Sequence, residues 1–228
     1  MRFRDRVDAG RHLSEVVRSA DFGGHDIAVL GLPRGGMPVA FEIATALRAS
    51  LDALVVRKLG VPSQPELAMG AIGEGGIRVE NSEVLGATGL STTDLDEAER
   101  RERVELDRRA TMYRGRQDRL DVSGRCVIVA DDGVATGSSA RAGCEVARAL
   151  GAARIVFAAP VASRTAALDL RRSCDEVMCL KVPEPFFAVG EWYRDFSPTS
   201  DAEVVELLRR AAAIRGVDDV ESRGTGRR

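Results

Sequence analysis

The run Val127-Ile128-Val129-Ala130-Asp131-Asp132-Gly133-Val134-Ala135-Thr136-Gly137-Ser138-Ser139 constrains the fold more than any other part of this 228-residue chain. Small apolar residues lead straight into two adjacent carboxylates, then into a turn rich in glycine and hydroxyls. Residues 140–150 follow with helical character. A strand that hands over to a helix this way belongs to an α/β unit, with the carboxylates at the strand's carboxyl end. That end also has a chemistry. Carboxylates accept hydrogen bonds from vicinal sugar hydroxyls. The turn offers backbone N–H groups and hydroxyls to a phosphate, because a helix N-terminus carries unpaired donors and the positive end of its dipole. The same residues also suit a plain strand–turn–helix connection, since helix caps favour Asp, Ser and Thr anyway. Two other phosphate loops are excluded. No lysine follows Gly137 as a Walker-type loop requires, and no G-x-G-x-x-G follows the strand.

The rest of the chain repeats the strand–helix rhythm. Residues 4–20 place Val7, Leu13, Val16 and Val17 at helical spacing, and residues 27–32 form a short continuous apolar run. Pro33-Arg34-Gly35-Gly36 breaks that run, a helix is expected over 37–49, and the next strand over 53–59. Strands at 126–130, 154–160 and 176–181 alternate with helices at 140–150 and 164–172. Such alternation implies a parallel sheet covered on both faces, with ligands beyond the carboxyl ends of the strands. Residues 60–90 interrupt the rhythm with Gly60, Pro62, Ser63 and Pro65, then two strand-like pieces at 68–72 and 77–81. A hairpin turning at Glu74-Gly75-Gly76 fits these. Residues 93–114 read as a charged helix with Glu97/Arg101, Glu99/Arg103 and Glu105/Arg109 at i,i+4, a solvated face without chemistry. The Gly- and Arg-containing tail, residues 214–228, reads as disordered.

Composition bounds the function. A formal charge of −2 and a pI near 5.9 argue against a nucleic-acid binder that relies on bulk electrostatics. No apolar run reaches the length of a membrane span, and the N-terminus lacks a secretory signal, so the cytoplasm is the expected compartment. Cys126, Cys144, Cys174 and Cys179 form no C-x-x-C pair and read as free thiols. His12 and His25 lie apart from them, which argues against structural zinc.

The 127–139 run resembles the phosphoribosyl-pyrophosphate (PRPP) binding motif of the type I phosphoribosyltransferases: a hydrophobic strand, two acidic residues, then a Thr-Gly turn. The resemblance implies an α/β fold with a three-layer, parallel-sheet core over about 25–180, a flexible β-hairpin loop and a small C-terminal hood. The hood would take residues 182–200 with the N-terminal helix, within one domain spanning 1–213. Carried over by the resemblance, Asp131 and Asp132 take the ribose hydroxyls, and the motif from Gly133 and Val134 through Ala135, Thr136, Gly137, Ser138 and Ser139 leads to the 5′-phosphate. Ser139 stands where the family usually has Thr. Arg34, Gly35 and Gly36 match the family's pyrophosphate loop, which often carries a cis peptide. By itself this stretch reads equally as an ordinary turn. Arg57 and Lys58, at the end of the expected 53–59 strand, suit a pyrophosphate leaving group and equally a snorkelling surface pair. Residues 60–76 fall where the family has its flexible catalytic loop.

The aromatic segment 186–196 falls where the family has its acceptor hood, with Phe187, Trp192 and Tyr193 as acceptor-side candidates; core packing is the other reading of the same residues. The activity implied is Mg²⁺-dependent transfer of the 5-phosphoribosyl group from PRPP to a nitrogen nucleophile, with Asp131, Asp132, Arg34 and Lys58 as its catalytic residues. Mg²⁺ would be held through the substrate, with Asp131 and Asp132 nearby, rather than by a protein cage. Ala135 occupies the place where the hypoxanthine–guanine members carry Asp, so a 6-oxopurine acceptor loses support. Many family members pair as homodimers. A PRPP- or nucleotide-sensing regulator on the same fold, and a phosphosugar hydrolase or accessory module, are the alternatives.

Overall fold

A computed structural model describes residues 2–115 and 117–224. The chain opens with α1 (Arg6–Arg18), β1 (Ile27–Gly31), α2 (Gly36–Leu47) and β2 (Ser50–Ala53). A β-rich excursion follows: β3 (Val56–Val61), β4 (Gln64–Gly73) and β5 (Arg78–Glu80), then helices α3 (Ser82–Thr88) and α4 (Thr92–Arg114). The chain returns through β6 (Cys126–Ala130), α5 (Ser138–Ala149), β7 (Arg154–Val161), α6 (Arg164–Leu170) and β8 (Glu176–Lys181), and ends in α7 (Asp201–Gly224). The five-stranded sheet has the order β2-β1-β6-β7-β8, and every pairing in it is parallel. The expected α/β, parallel-sheet core is therefore present. β3, β4 and β5 form a separate antiparallel sheet.

Period-2 alternation sorts the central strands between two apolar layers. Val29, Ile128, Ala130, Val156 and Ala158 face α1 and α2 with Leu13, Val39 and Ile43. Ala28, Leu30, Val127, Val129, Ile155 and Phe157 face α5 and α6 with Cys144, Val146 and Leu170. Buried on both faces, these strands read in sequence as unbroken apolar runs. A third cluster joins the hairpin sheet to α4 and α7 through Leu59, Met69, Ile72, Leu95, Leu106 and Val204. Among the described residues no helix is long and apolar enough to cross a membrane. The cysteines are free, as expected; Cys126, Cys144 and Cys174 are buried.

Two sequence expectations need revision. The strand expected over 53–59 is two strands in two sheets: the chain pairs with β1 as far as Ala53, crosses through buried Leu54 and Val55, and enters β3 at Val56. The apolar character never breaks across that crossing, so nothing in the residue pattern marks it. Arg57 and Lys58 accordingly stand on the hairpin sheet, not at the edge of the core sheet. The charged helix is also more than a solvated face. Glu99–Arg103 and Glu105–Arg109 pair as expected, but Leu95, Ala98, Leu106 and Tyr113 are buried. The helix α7 runs through Gly224, within the 214–228 tail, and residues 225–228 lie outside the described residues. The 74–76 turn is as expected: the Gly73 N–H donates to the Ile77 carbonyl at 2.9 Å, with φ of +72° and +78° at Gly75 and Gly76.

Candidate active site

The acidic pair and the Pro33–Gly36 loop, far apart in sequence, are in direct contact. Both follow adjacent parallel strands, β6 and β1, at their carboxyl ends, and the Leu32 N–H donates to the Ala130 carbonyl at 2.9 Å. A Cβ at Gly35 would lie 2.1 Å from Asp132 Oδ2, and one at Gly36 would lie 2.5 Å from the Ala130 carbonyl oxygen and 2.9 Å from Asp131 Cα. Glycine is required at both positions by this approach rather than by an unusual φ. The peptide bond between Pro33 and Arg34 is cis. The two motifs share a cavity of about 760 Å³ lined by Arg34, Gly35, Asp131, Asp132 and Ser139.

Each carboxylate has a donor at one oxygen. Asp131 Oδ1 accepts from the Asp132 N–H at 2.8 Å, and Asp132 Oδ2 accepts from Arg6 Nε at 2.7 Å. The two carboxyls also interact with each other, and both border the cavity, where a neighbouring pair of hydroxyls could reach them. Burial pushes the Asp131 carboxyl well above the usual carboxylate range, and the charge of Asp132 adds to the rise. Burial raises Asp132 as well, while the Arg6 guanidinium draws it back down. A pair so placed favours a cationic or hydrogen-bond-donating partner. Its all-oxygen donor set suits Mg²⁺ shared with substrate oxygens. Among the described residues, no group of three or more His, Cys, Asp or Glu could hold a metal by itself.

The turn after the pair delivers the N-terminus of α5. Gly137 is its N-cap at φ +81°, without a side-chain cap, so no side chain covers the first N–H groups. The Ala135 carbonyl is anchored by Ser163 Oγ at 2.7 Å, and Thr136 Oγ1 lies 3.4 Å from Ser138 Oγ. Ser139 lines the main cavity; Thr136, Gly137 and Ser138 border a neighbouring one of about 480 Å³, with Leu67 and Ala68 of β4 on its other side. Val134 is buried, its N–H bonded to the Val161 carbonyl, and Gly133 packs beneath Val189, so these two serve the shape of the turn.

Arg57 and Lys58 reach the main cavity from β3, despite their unexpected strand, and Arg57 is paired with Glu102 of α4 at 2.5 Å. The aromatic candidates fare differently. Phe187 is 76% exposed, and neither it nor Trp192 lines the cavity. Tyr193 is buried; its hydroxyl donates to the Asp132 carbonyl, and its ring stacks on Phe196 at 5.0 Å. It braces the acidic pair from behind rather than facing a ligand. From the hood, Pro198 and Thr199 line the cavity instead.

Sequence reasoning missed Arg6 and the contribution of α4, which supplies Arg101, Glu102 and Arg109 to the lining. The three-residue periodicity of Ala98, Arg101 and the buried Leu95 was the available signal for a helix face turned inward. Arg6 gave none, being one arginine in an N-terminus rich in them.

Comparison with known proteins matches this geometry. A family model described as a phosphoribosyl transferase domain matches residues 4–194. Two strains of Mycobacterium tuberculosis carry a relative named provisionally as a phosphoribosyl transferase. It is 52% identical over 209 residues, covering 92% of this chain and 47% of the relative. The chain thus spans about half the length of the curated relatives it matches. The crystal structure of TT1426 from Thermus thermophilus superposes with a TM-score of 0.85 at 42% identity, covering 92% of this chain and 99% of TT1426. With the family's region running from the N-terminal helix to the hood, and the acidic pair and glycine loop meeting inside it, the chain belongs to the phosphoribosyl transferase domain family.

Proposed function

We propose that this protein transfers the 5-phosphoribosyl group of PRPP to a nitrogen nucleophile and releases pyrophosphate. The observation that carries the reading is the contact between Gly35–Gly36 and Asp131–Asp132, which sets an anion loop and a diol-binding pair side by side on one cavity. The charge of the lining agrees. Six cationic side chains (Arg6, Arg34, Arg57, Lys58, Arg101 and Arg109) face it against three carboxylates, a balance suited to a polyanion.

In this reading the Asp131 and Asp132 carboxylates accept the ribose 2′ and 3′ hydroxyls and hold the ring still, which lowers the entropic part of the barrier. The N–H groups at the start of α5, with Thr136 and Ser139, take the 5′-phosphate. Arg34, Arg57 and Lys58 neutralise the pyrophosphate as its bond to the anomeric carbon breaks. The acidic pair lies beneath a ring that becomes oxocarbenium-like and favours its developing positive charge. Mg²⁺ brought in on substrate oxygens would find Asp131 and Asp132 as carboxylate neighbours and would add charge neutralisation at the leaving group. The β3–β4 hairpin, whose Pro62 and Pro65 line the cavity, is placed to exclude water from the reactive sugar. Ala135 supports an acceptor other than a 6-oxopurine.

Calorimetric titration of PRPP with Mg²⁺, followed by a pyrophosphate-release assay across purine, pyrimidine and amine acceptors, tests this. Binding with release for one acceptor is expected. Binding without release from any would favour a PRPP sensor, and absence of binding would remove the site. Replacing both carboxylates (Asp131→Asn with Asp132→Asn) should abolish PRPP binding while the circular-dichroism spectrum stays native. Retained affinity in that variant would place the ribose elsewhere.

A further inference from the structure

Arg6 reaches the acidic pair directly, and it does so from the first turn of α1, 126 residues away in sequence. Its side chain is 11% exposed and that of Asp132 14%, so the pair is shielded from solvent. Three separate contacts fix the guanidinium. Nε donates to Asp132 Oδ2 at 2.7 Å, Nη1 donates to the Ser197 carbonyl at 2.7 Å, and the guanidinium carbon sits 4.0 Å over the Phe196 ring. The two hood residues are themselves anchored. Phe196 stacks on Tyr193, whose hydroxyl holds the Asp132 carbonyl, and Tyr193 lies in a bridge with Phe3 at the start of the chain. The Phe3 N–H donates to the Trp192 carbonyl, and the Arg194 and Asp195 N–H groups return bonds to Phe3 and Arg4, all at 2.8 Å. The N-terminal segment and the hood thus form one laced unit whose inward tip is Arg6.

On the far side of the same carboxylate stands Gly35, with no side chain to restrain it. Asp132 is therefore held at Oδ2 by Arg6 while Gly35 leaves its other side uncovered, and Arg6 and Asp132 both line the cavity. We infer that Arg6 is a positioning residue for the ribose end of the site, fixing the Asp132 carboxylate for a sugar hydroxyl and coupling that placement to the packing of the hood. The inference rests on the proposed PRPP-binding function and adds to it a residue outside the two sequence motifs. A shielded guanidinium that donates twice and stacks once is suited to this work. Lysine keeps the charge but loses the planar fork and most of the stacking.

Three ligands separate the halves of the site: PRPP, ribose 5-phosphate and inorganic pyrophosphate. Calorimetry on the full chain with Arg6→Met should show ribose 5-phosphate and PRPP weakened by about tenfold or more, the worth of a charge-assisted hydrogen bond. Pyrophosphate, which does not meet the ribose carboxylates and loses only one of six cations bordering the cavity, should be weakened clearly less than ribose 5-phosphate. Arg6→Lys should recover a large part of the ribose 5-phosphate affinity. Fluorescence of Trp192, the only tryptophan, reports on the hood in the same samples without ligand, and should change in Arg6→Met more than in Arg6→Lys. An unchanged ribose 5-phosphate affinity in Arg6→Met overturns the role. So does an equal loss for all three ligands together with a lowered Tm, which marks a purely structural residue. Wild-type protein that binds none of the three removes the PRPP site itself, and the role of Arg6 with it.

Discussion

A methyl group added at Gly35 would meet a side chain, Asp132, while one added at Gly36 would meet backbone, the Ala130 carbonyl. The two substitutions should therefore fail differently. A side chain can turn aside, so Gly35→Ala should act through Asp132, swinging it away from Arg6 and weakening PRPP binding. The Ala130 carbonyl sits in the central strand and cannot yield. Gly36→Ala should therefore cost about 1–3 kcal/mol of stability, the usual range for overpacking. Urea denaturation and PRPP calorimetry on both variants check the contrast, and intact affinity in Gly35→Ala would contradict it. Thr136, exposed in the turn before α5, makes a cleaner deletion. Thr136→Ala should weaken PRPP by about 1–3 kcal/mol, the worth of a hydrogen bond to a charged phosphate. An unchanged dissociation constant would assign the phosphate to another cradle.

Three elements meet at Arg114, the last residue of α4. Its guanidinium is 6% exposed and bonds Asp52 at the end of β2, Glu74 in the turn after β4, and the Ala53 carbonyl. Asp52, 8% exposed, also accepts from the Leu120 N–H at 2.9 Å. Burial raises the Glu74 carboxyl, and Arg114 opposes that rise. Truncating the arginine would strand two carboxylates away from water, so Arg114→Ala should cost about 3–5 kcal/mol in chemical denaturation. A loss no larger than that of an exposed pair would show that water reaches the cluster. None of this was legible in the sequence, because the partners lie on three elements and carry no spacing relation. The parallel core was legible for the opposite reason: strands covered on both faces must be apolar throughout, and residues 126–130 are. The Asp131–Ser139 run was legible because its chemistry is contiguous. The split of residues 53–59 was hidden by an apolar run that passes from one sheet to another without a polar mark. The inward face of α4 was masked by the ion pairs on its outer face. Among the aromatics, composition could not separate Tyr193, which braces Asp132, from Phe187, which faces solvent.

At the scale of the molecule, the core sheet and the hairpin sheet are held together by α4 and α7, and a buried phenol ties those two helices to each other. Tyr113 Oη donates to Asp201 Oδ1 at 2.6 Å, with Tyr113 only 3% exposed. The other oxygen of Asp201 lies 3.9 Å from Arg34 Nη1, so the contact also touches the glycine loop. Burial, with the Asp201 hydrogen bond adding to it, pushes the Tyr113 phenol from 10.0 up to about 12. A phenol whose folded value is raised stabilises the fold in its neutral form. That contribution, about 2–3 kcal/mol, is full below pH 10 and is lost as the pH rises from 10 towards 12. The background is favourable for seeing it, since the lysines of this chain are Lys58 and Lys181 alone and arginine keeps its charge there. Burial also raises Tyr193 and Cys179, the thiol to about 11, so the test must be a difference between variants. Tyr113→Phe removes the titrating group and its bond together: the variant should be less stable at pH 9 and should lose less on going to pH 11.5. Urea midpoints at the two pH values for both proteins give the comparison. Parallel losses would mean that the Tyr113–Asp201 bond at the α4–α7 junction does not carry the alkaline transition.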